Sequence, residues 1–152
     1  MMTVEHILDD KGRHVWSVAP RDSVHSAIRL LSAHNVGAVL VCEGGRIVGI
    51  LSERDCVRRV MLHERAAKDT LVSSVMTSPV MSVRATDTLE HCLKLMTDHR
   101  VRHLPVMEHG HLLGILSVGD IVKARLDVQE HMIEDLERYI AGSPASMHPP
   151  AE

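Results

Sequence analysis

The chain is almost without aromatic residues: Trp16 and Tyr139 stand alone, and phenylalanine is absent from all 152 positions. A core built from it must be aliphatic, filled by Val, Ile, Leu and Met. The aromatic platforms on which single-stranded nucleic acid stacks are missing too. Basic charge is not in excess either, since the formal net charge is −3, which argues against nucleic acid as a partner. Cysteine is scarce and shows no CxxC spacing. Cys42, Cys56 and Cys92 each fall within an apolar pattern, which predicts free thiols in a reducing compartment. No run approaches the roughly 20 apolar residues of a membrane span, and the acidic N-terminal stretch lacks the apolar segment of a signal peptide. The expectation is a cytoplasmic protein with no membrane partner. What remains is 45% apolar and 24% charged, a globular rather than a disordered composition, long enough for one domain or two small ones.

What is present is a repeat. Gly49-Ile50-Leu51-Ser52-Glu53-Arg54-Asp55 returns 65 positions later as Gly114-Ile115-Leu116-Ser117-Val118-Gly119-Asp120. The same shift, without a gap, pairs Ser17 with Ser82, Asp22 with Asp87, Leu30 with Leu95, His34 with His99 and Val41 with Val106. A match of that length is duplication. The copies run over about residues 14–60 and 79–125.

Each copy reads as β-α-β-β-α. Val15 to Val18 is a short strand, and Asp22-Ser23 caps a helix with the apolar stripe Val24, Ala27, Ile28, Leu31. Gly37 to Cys42 is an apolar strand, Glu43-Gly44-Gly45-Arg46 a tight turn, and Ile47 to Leu51 the return strand. Glu53 opens a second helix toward Met61. The second copy repeats this with a strand at Met81-Ser82-Val83, a helix from Asp87 to His99, and strands Arg102 to Met107 and Leu112 to Leu116. His63 to Asp69 is a linker, and Leu71 to Thr77 has the spacing of one or two helical turns. After Asp120 the helix runs on through Leu126, Met132, Ile133, Leu136 and Ile140, an apolar face that a second chain would cover. The expected division is 10–62 for the first repeat, 63–75 for linker and lead-in helix, 76–140 for the second repeat with its extended helix, and 141–152 for a flexible tail.

In these motifs the chain resembles a stand-alone tandem pair of CBS (cystathionine-β-synthase) domains, a Bateman module. The residues that carry the likeness are Ser78-Pro79-Val80-Met81-Ser82-Val83, Val101-Arg102-His103-Leu104-Pro105-Val106 and the two G-I-L-S-x-x-D stretches. It covers roughly residues 10–140. The resemblance implies an α/β (α+β) fold, with two repeats packed in pseudo-two-fold symmetry around two clefts that hold adenosyl ligands. A carboxylate offers two acceptor oxygens for the ribose hydroxyls, a role that falls on Asp55 and Asp120, with Ser52 and Ser117 beside ribose and phosphate. Adenine would lie against Trp16, Val36, Gly37 and Ile115 in one cleft, and against Met81, Val101 and Ile50 in the other. Arg54, Arg58, Arg102 and His103 are the cations placed for phosphate. The clefts are unequal, because Gly37-Ala38 stands where the second copy has Arg102-His103, and Gly119 where the first has Arg54. The inequality implies two sites of different affinity, or different ligands in the two clefts, AMP (or ADP or ATP) in one and NAD(H) in the other; the shared adenosyl group does not separate these from S-adenosylmethionine.

The implied function is a regulatory, non-catalytic sensor that dimerises and acts on another, unidentified protein. The alternatives are a nucleic-acid-binding module or an accessory part of a nucleotide-metabolising enzyme. Plainer readings stand beside these roles. Each Asp can be a helix cap, Trp16 plain core, and Arg102 with His103 a solvated strand edge. Arg58, Arg59, His63, Arg65 and Lys68 read as a solvated face. The 12 His residues show no HExxH or paired Cys/His spacing, so no metal is expected.

Overall fold

A computed structural model describes residues 2–142; of the tail expected at 141–152, residues 141 and 142 are the last of the long C-terminal helix, and 143–152 lie outside the described residues. The chain opens with a helix that the sequence pattern does not reveal, α1 (Val4–Lys11). It carries only three core-facing residues, too few for a periodic signal. Its start is fixed by the Thr3 backbone N–H, which donates to His6 Nδ1 at 3.0 Å. There follow β1 (Ser17–Val18), α2 (Val24–His34), β2 (Ala38–Glu43) and β3 (Arg46–Ser52). Helix α3 (Glu53–Asp55) continues directly as a π-helical turn over Cys56–Met61. Two 3-10 turns, Ala67–Asp69 and Val72–Ser74, make up the linker and lead-in. The second copy comprises α4 (Leu89–His99), β4 (His103–Glu108), β5 (His111–Ser117) and the long α5 (Val118–Gly142).

Helix α2 starts where Ser23 Oγ accepts from the Ser26 N–H at 3.1 Å. Val24, Ala27 and Leu31 of its stripe are buried, whereas Ile28 is 36% exposed and stands off the core. In the second copy Thr88, not Asp87, caps α4, and the Asp87 carboxylate accepts from the Arg84 N–H in the preceding turn.

β2 and β3 pair antiparallel with β1 parallel on the outer edge of β2, while β4 and β5 form a two-stranded sheet. Both hairpins shift register at the same repeat position, Val41/Cys42 and Val106/Met107. The strand expected at Met81-Ser82-Val83 shrinks to a single bridge between Val83 and Val106. Pro105 is the reason. In the first copy the Leu40 N–H donates to the Trp16 carbonyl at 3.0 Å and extends the ladder. Pro105 occupies the Leu40 position and has no N–H to give to Met81.

The two copies trade their lead-in segments. Val4, Ile7 and Leu8 of α1 are buried in the core of the second copy with Val83, Leu89, Leu104, Leu116 and Ile121. Val72 and Val75, which lead into the second copy, are buried in the first with Val24, Leu31, Val39 and Leu51. Two equivalent glycines admit the exchanged side chains. A Cβ on Gly114 would lie 2.8 Å from Leu8 Cδ2, and one on Gly49 would collide with Met76 and lie 3.2 Å from the Thr77 carbonyl oxygen. Between the copies a third cluster joins Ala38, Leu40 and Ile50 to Val80 and Ile115. Each fully buried aliphatic side chain in such clusters contributes about 1.5–3 kcal/mol. In α5 only Ile121 is buried.

Candidate functional site

At the end of β3 the chain enters α3 through a reciprocal cap. Ser52 Oγ accepts from the Asp55 N–H at 3.1 Å, and Asp55 Oδ2 accepts from the Ser52 N–H at 3.0 Å. The same pair forms at the end of β5, between Ser117 and Asp120, at 3.0 and 2.8 Å. Capping is therefore real in both copies. It also holds each carboxylate in one orientation while leaving lone pairs open. The N–H of Glu53 donates to the Gly37 carbonyl at 3.0 Å and that of Val118 to the Arg102 carbonyl at 2.9 Å, so each motif is tied to the start of its own hairpin.

The two carboxylates then part ways. Thr77 Oγ1 donates to Asp55 at 3.2 and 3.3 Å, and the Arg59 guanidinium stands 3.9 Å away. The Asp55 side chain remains 14% exposed, at the edge of a cavity of about 650 Å³. Such a volume accommodates a nucleotide-sized ligand. Asp120 instead receives the Lys11 ammonium at 2.7 Å, a contact with α1.

The cavity lies between the copies. The first copy supplies Gly37, Ile50, Ser52, Arg54, Asp55 and Arg58 to its wall, and the second supplies Val101, Arg102, His103, Ser117 and Gly119. Arg59 and Arg100 add to the cationic side, with His99 also on the wall, against the two carboxylates Glu53 and Asp55. An anion is favoured in such a field. Burial is the main cause that holds the His103 imidazole below its ordinary value; Lys11 and Arg102 push the same way, and Asp120 and Asp55 oppose them. His103 is thus a neutral ring at the cavity floor. Cys56, next to Asp55 in the chain, is pushed up to about 11 by burial and by the nearby Asp55 and Glu53 carboxylates, so its thiol stays protonated.

Ten of the residues singled out in the sequence thus meet in one cavity: Gly37, Ile50, Ser52, Arg54, Asp55, Arg58, Val101, Arg102, His103 and Ser117. Five do not line it. Trp16 packs on the first core and is stacked at 3.3 Å on the ring of His34, with Val36 beside it. Met81 packs on the second core, and Ile115 on the cluster between the copies. Asp120 faces a groove between α1 and α5.

Thr77, Arg59 and Arg100 escaped the sequence reading. Thr77 lies where a lead-in helix was expected, and its hydroxyl has no counterpart because Gly12 occupies the equivalent position. Arg59, read as solvated, donates to the Val75 and Met76 carbonyls at 3.1 and 3.0 Å and so ties the lead-in down. Arg100 ends α4 in the left-handed region (φ 54), as Asn35 does for α2. Among the described residues no group of three His, Cys, Asp or Glu side chains is placed to hold a metal ion. No helix among them is long and apolar enough to cross a membrane.

The family model of the CBS domain matches this chain twice, over residues 4–62 and 72–127. The chain belongs to the CBS-domain family. Among curated relatives, the mitochondrial CBS domain-containing protein CBSX3 of Arabidopsis thaliana is 31% identical over 150 residues, covering 92% of this chain and 72% of its own length. Among solved structures, a protein with CBS domains from Burkholderia ambifaria is 43% identical with a TM-score of 0.80, over 83% of this chain and 95% of that one. A CBS domain pair solved in complex with 5′-methylthioadenosine and S-adenosyl-L-methionine shares the fold, with a TM-score of 0.71 at 20% identity over 86% of this chain and 98% of that one. The fold is that of a tandem CBS pair, and proteins of this kind act in regulation and signal transduction.

Proposed function

We propose that this CBS pair senses an adenosyl nucleotide in the Asp55 cavity and passes its occupancy to another protein, without catalysis of its own. The carrying observation is a single cavity that joins one partly buried carboxylate to a set of arginines, with walls drawn from both copies. The Asp55 carboxylate would take the ribose hydroxyls, Ile50 and Val101 would flank adenine, and Arg54, Arg58, Arg102 and His103 would meet the phosphates. That division suits AMP, ADP or ATP, and the adenosine half of NAD(H) offers the same groups. The ligand seen in a distant solved pair, S-adenosyl-L-methionine with 5′-methylthioadenosine, supports the adenosyl class. Because the occupant touches both copies, it shifts their arrangement to the extent that it binds one arrangement better.

The reading includes a dimer. Val57 and Met61 of the first copy are 53% and 69% exposed, and their repeat counterparts Val122 and Leu126 are 50% and 54% exposed. Two equivalent apolar faces of this kind suit a second copy of the chain, and sedimentation equilibrium would show a single species of twice the chain mass. A cytoplasmic setting, where adenine nucleotides and reduced thiols coexist, fits the free cysteines. The decisive test is mass spectrometry of small molecules released from the purified protein, followed by calorimetric titration with ATP, AMP and NADH. Binding that is lost in Asp55→Ala supports the reading. Binding that Asp55→Ala leaves untouched, or turnover of the nucleotide, overturns it.

A further inference from the structure

In the first copy Thr77 performs two tasks: its N–H donates to the Ile50 carbonyl at 2.8 Å, and its hydroxyl donates to Asp55. In the second copy both tasks fall to one ammonium. Lys11 Nζ donates to the carbonyl of Ile115, the counterpart of Ile50, at 2.8 Å, and to Asp120 Oδ2, the counterpart of Asp55, at 2.7 Å. Thr77 gives Asp55 a neutral donor, with the nearest cation, Arg59, 3.9 Å away, whereas an ammonium sits directly on Asp120 at 2.7 Å. The Lys11 side chain is anchored from behind, because α1 is held by Val4, Ile7 and Leu8 in the second core.

The clefts differ in a further respect. Gly37 stands where the other cleft has Arg102, so the cation is missing. The His103 ring, which lines the Asp55 cavity, lies over Gly37, its Nε2 3.0 Å from where a Cβ at that position would be. Ser117 and Gly119 border the Asp55 cavity, but Asp120 does not.

We propose that Lys11 is a specificity-determining residue that closes the Asp120 cleft to ribose, so that each chain binds one nucleotide, in the Asp55 cavity, and not two. This rests on the nucleotide reading above. It sharpens that reading, because the two clefts then differ in kind: one is a receptor site and the other is occupied by the protein's own side chain.

Equilibrium dialysis with labelled ATP tests it. The wild-type chain binds one equivalent, Asp120→Asn still binds one, and Lys11→Met, which keeps the alkyl stem, binds two. The added equivalent disappears when Asp120→Asn is combined with Lys11→Met. Two equivalents in the wild type, one of them lost in Asp120→Asn, overturn the proposal, as does a Lys11→Met protein that is folded by circular dichroism and still binds one.

A second readout needs no nucleotide. In the ligand-free protein Lys11 acylates at least several-fold more slowly than the exposed Lys68 and Lys123, and Asp120→Asn removes the protection, as followed by peptide mass spectrometry. Equal rates overturn the Lys11 contact. Slow acylation in a protein that binds no nucleotide supports the contact and places the failure in the nucleotide reading.

Discussion

The imidazole of His103 rests directly on the backbone of Gly37: a Cβ built at residue 37 would lie 3.0 Å from Nε2 and 3.2 Å from Cε1. Gly37 has no positive φ, so the glycine is required by space and not by backbone conformation. Gly37→Ala presses on the ring, which must give by a few tenths of an ångström, at a cost of at most about 1–3 kcal/mol. In the His103→Ala background the same substitution is close to neutral, and urea unfolding of the four proteins in a double-mutant cycle measures the coupling. An equal cost in both backgrounds would show that the ring is not what Gly37 makes room for.

The burial of His103 sets a pH dependence. Its imidazole is held below the ordinary value of 6.5 in the folded chain, chiefly by burial. Well above pH 6.5 the ring is neutral in both states and contributes no slope. As pH falls below 6.5 the unfolded chain takes up the proton first, so stability declines until the folded ring also titrates. His103→Gln flattens this part of the stability profile. Phosphate binding acts in the opposite sense, since an anion favours the imidazolium. Affinity for ATP therefore rises as pH falls from 7.5 toward 6, by at most about tenfold per pH unit, and His103→Gln abolishes the rise.

Thr77→Val removes the hydroxyl that donates to Asp55. One neutral donor to a partly buried carboxylate contributes about 1–3 kcal/mol. The expected result is a modest loss of stability with a several-fold weaker affinity for nucleotide, because the carboxylate loses one of the two donors that orient it. Calorimetric titration beside thermal unfolding separates the two effects. Affinity that is unchanged while stability falls would make Thr77 a packing residue alone.

Arg100 holds a left-handed conformation that suits Asn or Gly better than Arg. Arg100→Asn copies Asn35 at the equivalent position and stabilises the chain by about 0.5–1 kcal/mol. The same change removes a cation from the cavity wall and weakens ATP binding more than adenosine binding. A variant that gains stability and loses no affinity would mean that Arg100 points away from the phosphates.

The duplication, the hairpins and the residues at their ends were legible, because an ungapped repeat transfers every assignment from one copy to the other. Three features were not, and each has a local cause. Helix α1 spans eight residues with three buried, below the length at which periodicity speaks. The first strand of the second copy is lost to one missing N–H at Pro105, a detail of the neighbouring strand and not of the segment itself. Trp16, Val36, Met81 and Ile115 were assigned to the clefts by position; each is partly buried against a hydrophobic cluster and lies off the wall of the Asp55 cavity, since symmetry of sequence does not determine which neighbour reaches a side chain first. Lys11 illustrates this best. It has no motif, and it lies 109 residues from the carboxylate that it meets.

The exchange of lead-in segments means that the piece of chain that was duplicated is not the piece that folds. Residues 4–11 complete one core and 72–75 the other, so a cut between the copies, where a domain boundary would be drawn, leaves each half with a sheet face that only the other half can cover. The copies are interlocked as two clasped hands are, and a protein expressed as one copy lacks the segment that closes its own core.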